Sequence, residues 1–497
     1  MGTSLADQLR KLSVPQTSAF SQEKKRASLL FDPKEAAGID RGTIYEIGLK
    51  GFEELKKFNS KFDKFATTLF DLSSQSLERS VESEKANKKL NKHIRSFILL
   101  LSPYFLLKPA HQALEWLINR RSNTSSVARV TVAIRCEYGV SLITDISITD
   151  TFEIESLGVV VIIWYRFHIH LYNRDDLLLL IFPYHDTRMF VRVLQLLDVK
   201  SKSSPWHWLR PLQKPGVPLS KTALLNHCAV DPSFLKFVCD GALAAVKEHS
   251  GDAHCLTTAL GFFCTTIVGA LEHTSATTEL QLVHILKPLL KGLPSPVLDF
   301  AAASFMITAQ LADKAQLSEN VLHQIIVNLT KNPQASLDLE KVLLLVLLYQ
   351  SQSSTLTSFP HKALLRLASV PKFPTTLGEL SASGGHVTPL LVPLLAETLR
   401  SIQSQIDDTG LRKLAINLVS QVGLEEDSVE EIIRMAVENF DINGLLGEQP
   451  DPVEQVSNNS KEIIEWYTMF MRSLERKYPT QYDKSQKFLI KIADPKE

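Results

Sequence analysis

The feature that most constrains this chain is a hydrophobic period of 3.6 residues, which most of the sequence follows. In residues 85–101 the apolar side chains fall on one side of a helix: Leu90, Ile94, Phe97, Ile98 and Leu101. The basic side chains fall on the other: Lys85, Lys88, Lys89, Lys92 and Arg95. A helix of this kind must bury one stripe against a neighbour and leave the other in water.

Helix onsets recur about every 20 residues in the middle of the chain, so helix pairs recur about every 40. This is the period of HEAT and armadillo repeats, in which each hairpin buries its apolar side by stacking on the next. We therefore predict an all-α fold, a HEAT/armadillo-like helical-hairpin solenoid. An irregular all-helical domain is the alternative. Two capping boxes, Thr43 with Glu46 and Ser428 with Glu431, are expected to start helices.

One stretch, from about 121 to 166, breaks the helical period. Val130, Val132 and Ile134 alternate with other residues, and Ile146 with Ile148 continue a period of two that predicts strands. Joining Arg120 directly to Phe167 would restore an unbroken amphipathic run. We expect five parts: N-terminal helical repeats at 1–120, an atypical insertion at 121–166, continued repeats and a loop at 167–230, a HEAT-like array at 231–452 and a C-terminal helical segment at 453–497.

Composition excludes several classes of protein. The chain has 54 Lys and Arg against 54 Asp and Glu, so it lacks the overall basic charge of a nucleic-acid wrapper. Its five cysteines are scattered without a CxxC pair, which argues against a disulfide framework or a zinc module. The longest apolar run that suggests a membrane span, residues 157–165, is far short of the roughly 20 residues required. We expect no membrane association.

Catalytic motifs are absent from the sequence: it has no Walker, Rossmann, nucleophile-elbow, zincin or kinase signature. His168 and His170 lie two apart on a predicted helix and point in opposite directions, so they do not form a metal site. The cysteines between Cys228 and Cys264, with His227 and His254 nearby, are interpreted as small core residues. We expect no enzyme activity, no cofactor, no metal and no small-molecule substrate.

The basic stripe, defined as Lys85, Lys88, Lys89, Lys92 and Arg95, is the candidate for phosphate contact. Five cations on one side of a helix can neutralise several phosphates of an RNA. A solvated outer surface explains the same pattern. No aromatic residue interleaves with the stripe, so base stacking is not implied. Near the other end of the chain, residues 425–454 carry ten acids and one base, Arg434.

Several blocks of the first 220 residues together resemble a known family. They include SLLFDPKEAA at 28–37, LSPYFLLKPA at 101–110, LEWLI at 114–118, FHIHLYN at 167–173 and PGVPL at 215–219. In this order they are similar to the N-terminal part of the large HEAT-repeat proteins of the small-subunit processome, the family of U3 small nucleolar RNA-associated protein ten. In that family the block corresponding to 114–118 runs almost directly into the one at 167–173.

The resemblance implies a location in the nucleus and nucleolus and a scaffold function in pre-rRNA processing toward 18S rRNA, with support of RNA polymerase I transcription. It implies as partners the processome proteins of the early subcomplex that binds the 5′ external spacer, and pre-rRNA or the U3 snoRNP. Since family members are several times longer, we expect this chain to be a fragment, a short isoform or a truncated gene product. We interpret 121–166 as a retained intron or an annotation artefact. The alternative function is a generic HEAT-repeat adaptor in transport or trafficking.

Overall fold

The computed structural model describes residues 39, 41–75, 83–118, 130–133, 143–146, 169–197, 199, 203–213, 216–249, 253–274, 277–331, 339–404, 409–439 and 458–485. These residues are helical apart from one strand pair and the connections. The chain divides into two units, Met1–Thr266 and Ile267–Glu497. The predicted all-α fold of HEAT-like hairpins is confirmed.

The first unit contains ten α-helices in the described residues. They are α1 (Arg41–Phe58), α2 (Glu84–Leu101), α3 (Lys108–Ile118), α4 (Ile169–Tyr172), α5 (Arg174–Ile181), α6 (Arg188–Leu196), α7 (Arg210–Gln213), α8 (Lys221–Val230), α9 (Pro232–His249) and α10 (Ala253–His273), the last of which contains the boundary between the units. Short 3₁₀ helices occur at Ser60–Phe65, Leu72–Gln75, Ser102–Tyr104, Phe182–Tyr184 and His207–Leu209.

Aromatic side chains build the core of the first unit. Phe52 stacks on Phe70 with ring centroids 4.1 Å apart, and Phe97 meets Phe65 edge to face at 5.2 Å. Trp116 on α3 is fully buried against α1, and its indole N–H donates to the Leu69 carbonyl at 3.1 Å. Buried aromatic pairs of this geometry add directional attraction to their area burial.

A strand pair occupies part of the atypical insertion. β1 (Val130–Ala133) pairs antiparallel with β2 (Ile143–Ile146), and among the described residues the two form a sheet with each other alone. The predicted strand character of Val130, Val132 and Ile146 is confirmed. The other residues predicted to alternate, among them Ile134 and Ile148, lie outside the described residues.

In its described residues the second unit contains, besides a helical segment at 479–485, ten α-helices. They are α11 (Glu279–Gly292), α12 (Leu298–Lys314), α13 (Glu319–Leu329), α14 (Leu339–Ser351), α15 (His361–Ala368), α16 (Phe373–Ala382), α17 (Thr388–Gln403), α18 (Thr409–Gln421), α19 (Glu426–Asn439) and α20 (Asn458–Lys477).

These helices pack as two rows. In the first row α11 contacts α13, α13 contacts α15, α15 and α16 contact α18, and α18 contacts α20. In the second row α12 contacts α14, α14 contacts α17, and α17 contacts α19. Among the first-row helices, α11, α13, α15 and α18 begin at residues 279, 319, 361 and 409, which is near the predicted period of about 40 for the first three and longer for the last. Each hairpin therefore buries its apolar side against the next.

Both predicted capping boxes are wrong. α1 begins at Arg41, so Thr43 is already helical and cannot adopt the extended backbone of an N-cap. α19 begins at Glu426, and the Glu425 carbonyl accepts from the N–H groups of Ser428 and Val429 at 3.1 Å. Acidic residues in that first turn favour the earlier start through the helix dipole. A capping box does occur at α11, between Thr278 and Gln281.

Candidate nucleic-acid interface

Helix α2 carries the basic stripe, and its sequence explains where it begins. The Ser83 hydroxyl accepts a hydrogen bond from the N–H of Ala86 at 3.3 Å, and Glu84 lies in the first turn. Both features satisfy or complement the exposed N–H groups of a helix start. The apolar side of the helix, from Ile94 to Leu101, is buried. The basic side therefore faces outward.

The four lysines of the stripe are exposed. Lys85, Lys89 and Lys92 lie on the solvent side of α2. Lys88 pairs with Glu84 at 2.8 Å, and both side chains remain more than 70% exposed. An exposed ion pair contributes little stability and exchanges readily for another partner. The structure thus brings four of the five predicted residues onto one accessible surface.

Arg95 has different surroundings. Its side chain is 40% exposed, and its Nε lies 3.5 Å from Oδ1 of Asp176 on α5 and 3.9 Å from Oε2 of Glu248 on α9. The guanidinium therefore links three helices inside the first unit. Its assignment as a phosphate contact stays a prediction, and its ion pairs give it a separate role in packing.

Two basic groups that sequence reasoning missed lie beside the lysines. The Lys64 ammonium donates to the Ser96 hydroxyl on α2 at 3.0 Å and lies 4.8 Å from the Phe65 ring centroid. Burial lowers the pKa of His93, and the positive charges of Lys89, Lys64 and Lys92 lower it further. Positive charges from α2 and from the 3₁₀ helix Ser60–Phe65 therefore both act on His93. The spacing of Lys61 and Lys64 just before Phe65 is the signal that could have indicated this contribution.

A cavity of about 370 Å³ lies beyond Arg95. Its lining includes Arg95, Asp175, Asp176, Trp206, Phe237 and Asp240. The Trp206 indole N–H donates to Asp175 Oδ1 at 2.8 Å, and burial raises the pKa of Asp176. Carboxylates outnumber cations in this lining, so the cavity repels phosphate. The exposed lysines of the stripe end at Lys92.

The cysteine and histidine group has the character of a core. Cys228, Cys239, Cys255 and Cys264 are buried thiols, and burial raises the pKa of Cys228 and Cys264. The His227 ring stacks on Trp208 with centroids 3.9 Å apart. The interpretation as small core residues is confirmed for these four cysteines. No group of three metal-ligating side chains occurs among the residues that the structure describes. Cys136 and His168 lie outside them.

One described helix has the length and hydropathy of a membrane span. The segment His254–His273 of α10 reaches a mean hydropathy of 1.5, and 61% of its most apolar window is buried inside the protein. The sequence search for apolar runs missed this segment, because threonines and glycines interrupt it.

Comparisons with known proteins identify relatives along nearly the whole chain. Residues 281–398, which span α11 to α17, match the family model described as U3 small nucleolar RNA-associated protein 10. The HEAT repeat-containing protein 1 homolog of Drosophila melanogaster is 35% identical over 98% of this chain. HEAT repeat-containing protein 1 is 36% identical over 82% of the chain in Danio rerio and 33% identical over 100% in Homo sapiens.

The chain spans about a fifth of the length of these curated relatives: 22% of the Drosophila protein, 17% of the Danio protein and 21% of the human protein. The resemblance drawn from the sequence blocks is confirmed by both kinds of match. The blocks lay in the first 220 residues, whereas the family match covers later helices that the sequence alone left undistinguished.

Proposed function

We propose that this chain, whose residues 281–398 carry the domain of the U3 small nucleolar RNA-associated protein 10 family, is a non-catalytic scaffold of the nucleolar small-subunit processome. It acts in pre-rRNA processing toward 18S rRNA and in small-subunit biogenesis, and it supports transcription by RNA polymerase I. Its partners are processome proteins of the early subcomplex that binds the 5′ external spacer.

The observation that carries this proposal is the match of the family domain to one continuous set of stacked hairpins. The matched residues run from α11 to α17 and take in helices of both rows. Such rows present the exposed sides of successive helices as one extended surface, and extended surfaces of this kind bind proteins. The chain acts by binding partners through its exposed surface and local charge, and it catalyses no reaction.

RNA contact belongs to the first unit. The lysines of the basic stripe, with Lys64, form an exposed cationic surface that neutralises phosphates of pre-rRNA or U3 snoRNA. Because no aromatic side chain interleaves with the stripe on α2, contact is made with the RNA backbone rather than with its bases.

The proposal is tested by the location of the full chain in cells and by the proteins that co-purify with it. A fluorescently tagged copy is expected to concentrate in nucleoli and to co-purify with small-subunit processome proteins. A cytoplasmic or vesicular signal with transport proteins as the main co-purified partners would contradict the proposal and favour the adaptor alternative. The untagged fluorescent protein is the control for both measurements.

A further inference from the structure

The second row of helices in the second unit carries an exposed apolar face. On α14 the leucines at 339, 343 and 347 are 53%, 45% and 37% exposed. Their spacing of four places them on one stripe, while Val342 and residues 344–346 between them are buried and Glu340 and Lys341 are partly or fully exposed. Exposure of three leucines in line to water is unfavourable, so a partner that buries them gains free energy of binding.

The neighbouring helices extend this stripe into a face. On α12, which contacts α14, Leu298, Ala302 and Met306 are exposed at the same spacing. On α17, which contacts α14 from the other side, Val392 and Ala396 are half-exposed. We define the apolar face as these residues of α12, α14 and α17. None of these residues is charged, so the apolar face can bind the apolar stripe of another helix.

Charge borders the apolar face at one end. Helix α19 follows α17 in the same row and exposes Glu426, Asp427, Glu430 and Glu431. Its one basic residue, Arg434, is 3.8 Å from Glu438. A ligand that covers the apolar face and reaches α19 therefore meets four carboxylates, which outnumber the two cations beside them, Arg434 and Lys484. Complementarity requires positive charge on that part of the ligand.

We propose that the apolar face together with α19 is a docking surface for a basic amphipathic helix of a partner protein. The apolar stripe of that helix lies along α12, α14 and α17, in the manner of a helix in a groove, and its lysines or arginines face α19. RNA is disfavoured because the face lacks cations and its border repels phosphate. The inference names the chemistry of a partner and rests on the proposed scaffold function for its biological setting.

The probe is a fluorescein-labelled 18-residue peptide with leucines at helical spacings of three and four and lysines elsewhere. Its matched control has glutamates in place of the lysines. With the purified full chain, fluorescence anisotropy is expected to give saturable binding of the lysine peptide that is at least about tenfold tighter than that of the glutamate peptide. Equal affinity of the two peptides, or no saturable binding, would overturn the proposal.

Variants then locate the binding. Leu343→Asp with Leu347→Asp is expected to weaken the lysine peptide at least about tenfold. Leu280→Asp with Val283→Asp, two exposed residues on first-row helix α11, is the matched control and should leave the affinity unchanged. Because both sets are exposed, the fold should persist. If circular dichroism reports unfolding of the aspartate pair, Leu343→Ala with Leu347→Ala takes its place.

Charge and self-association complete the test. Glu430→Gln with Glu431→Gln is expected to weaken the lysine peptide and to flatten the salt dependence of its binding. If light scattering finds a dimer of the chain that Leu343→Asp with Leu347→Asp dissociates, a second copy is the occupant and the proposal is wrong. These measurements use purified protein, so their failure leaves the nucleolar test of the proposed function standing, and the reverse also holds.

Discussion

The side chain of Gln352, fully buried at the end of α14, donates hydrogen bonds to the carbonyls of Ala312 at 2.7 Å and Ala315 at 2.9 Å. Its Oε1 accepts from the N–H of Leu317 at 2.9 Å. One amide therefore satisfies the last carbonyls of α12 and the entry to α13, about 40 residues earlier in the chain. The Gln352 side chain therefore joins successive hairpins, and its hydrogen bonds to Ala312 and Leu317 are buried.

We predict that Gln352→Leu lowers the free energy of unfolding by about 2–4 kcal/mol, since it leaves buried backbone groups without partners. Urea denaturation of the full chain, followed by circular dichroism, measures the change. The control is Ser353→Ala at the next position, which is exposed and is expected to change stability by less than about 0.5 kcal/mol. Equal stability of the two variants would mean that the buried amide does not hold the hairpins together.

Stability of the first unit should decrease in mild acid. Burial lowers the pKa of His111 on α3, opposed by a hydrogen bond with the Phe105 backbone, and the charge of Arg192 lowers it further. Because the folded pKa lies below the unfolded value of about 6.5, the unfolded state binds the proton more strongly. The stabilisation is complete above that value and is lost as the pH falls through the lower folded one.

His111→Phe tests this directly, because it keeps a ring against Phe105 but cannot be protonated. The urea midpoint of the variant should fall less than that of the original chain between about pH 7.5 and pH 5.5. His93 and His227, whose pKa values are also lowered by burial, remain in the variant and account for a residual slope. An unchanged slope would show that His111 is not responsible.

Removal of residues 121–166 should leave the fold intact. In the described part of that segment, β1 and β2 form their sheet with each other, and the flanking helices α3 and α4 contact each other. Joining Arg120 to Phe167 shortens the chain between α3 and α4, which reduces the entropy cost of bringing these helices together. The deleted chain is expected to keep its helical circular dichroism and to unfold at the same or a higher temperature. Loss of cooperative unfolding would mean that the segment belongs to the core.

The basic stripe predicts a salt-dependent RNA contact. Lys85→Glu, Lys88→Glu and Lys89→Glu together should weaken binding of the full chain to a U3 snoRNA fragment at least about tenfold and reduce the slope against salt by about 2. The matched control is Lys291→Glu, Lys362→Glu and Lys413→Glu, which makes the same charge change at exposed positions of the second unit. Identical salt slopes in all three proteins would remove the stripe as an RNA contact.

Local pattern predicted the helices that have strong amphipathicity and clear caps. The helix indicated by the pattern of residues 85–101 is Glu84–Leu101 in the structure, because Ser83 caps it and its apolar side is continuous. Helix α16, Phe373–Ala382, escaped prediction, since Pro374, two threonines and Gly378 are weak helix formers. Its glycine is explained by packing: a Cβ there would lie 2.8 Å from the Gln421 carbonyl.

Of the candidate RNA interface, the sequence could predict only the residues that lie on the single helix α2. The lysines of α2 share a periodicity, so their common side follows from spacing. Lys64 joins the lysines of α2 through a contact with Ser96, and Arg95 forms ion pairs with Asp176 and Glu248. These contacts connect segments that are distant in sequence. Periodicity carries no information about such contacts. The apolar face is likewise a property of three helices in a row rather than of one.

Under the proposed function, these stacked hairpins belong to the U3-associated machinery. The most direct measurement is the amount of U3 snoRNA that precipitates with the tagged full chain from cell extract, by quantitative reverse transcription, beside U1 RNA from the spliceosome. Strong enrichment of U3 over U1 is expected, and the triple lysine-to-glutamate variant of α2 is expected to reduce it. Equal recovery of U3 and U1 would contradict the proposed function.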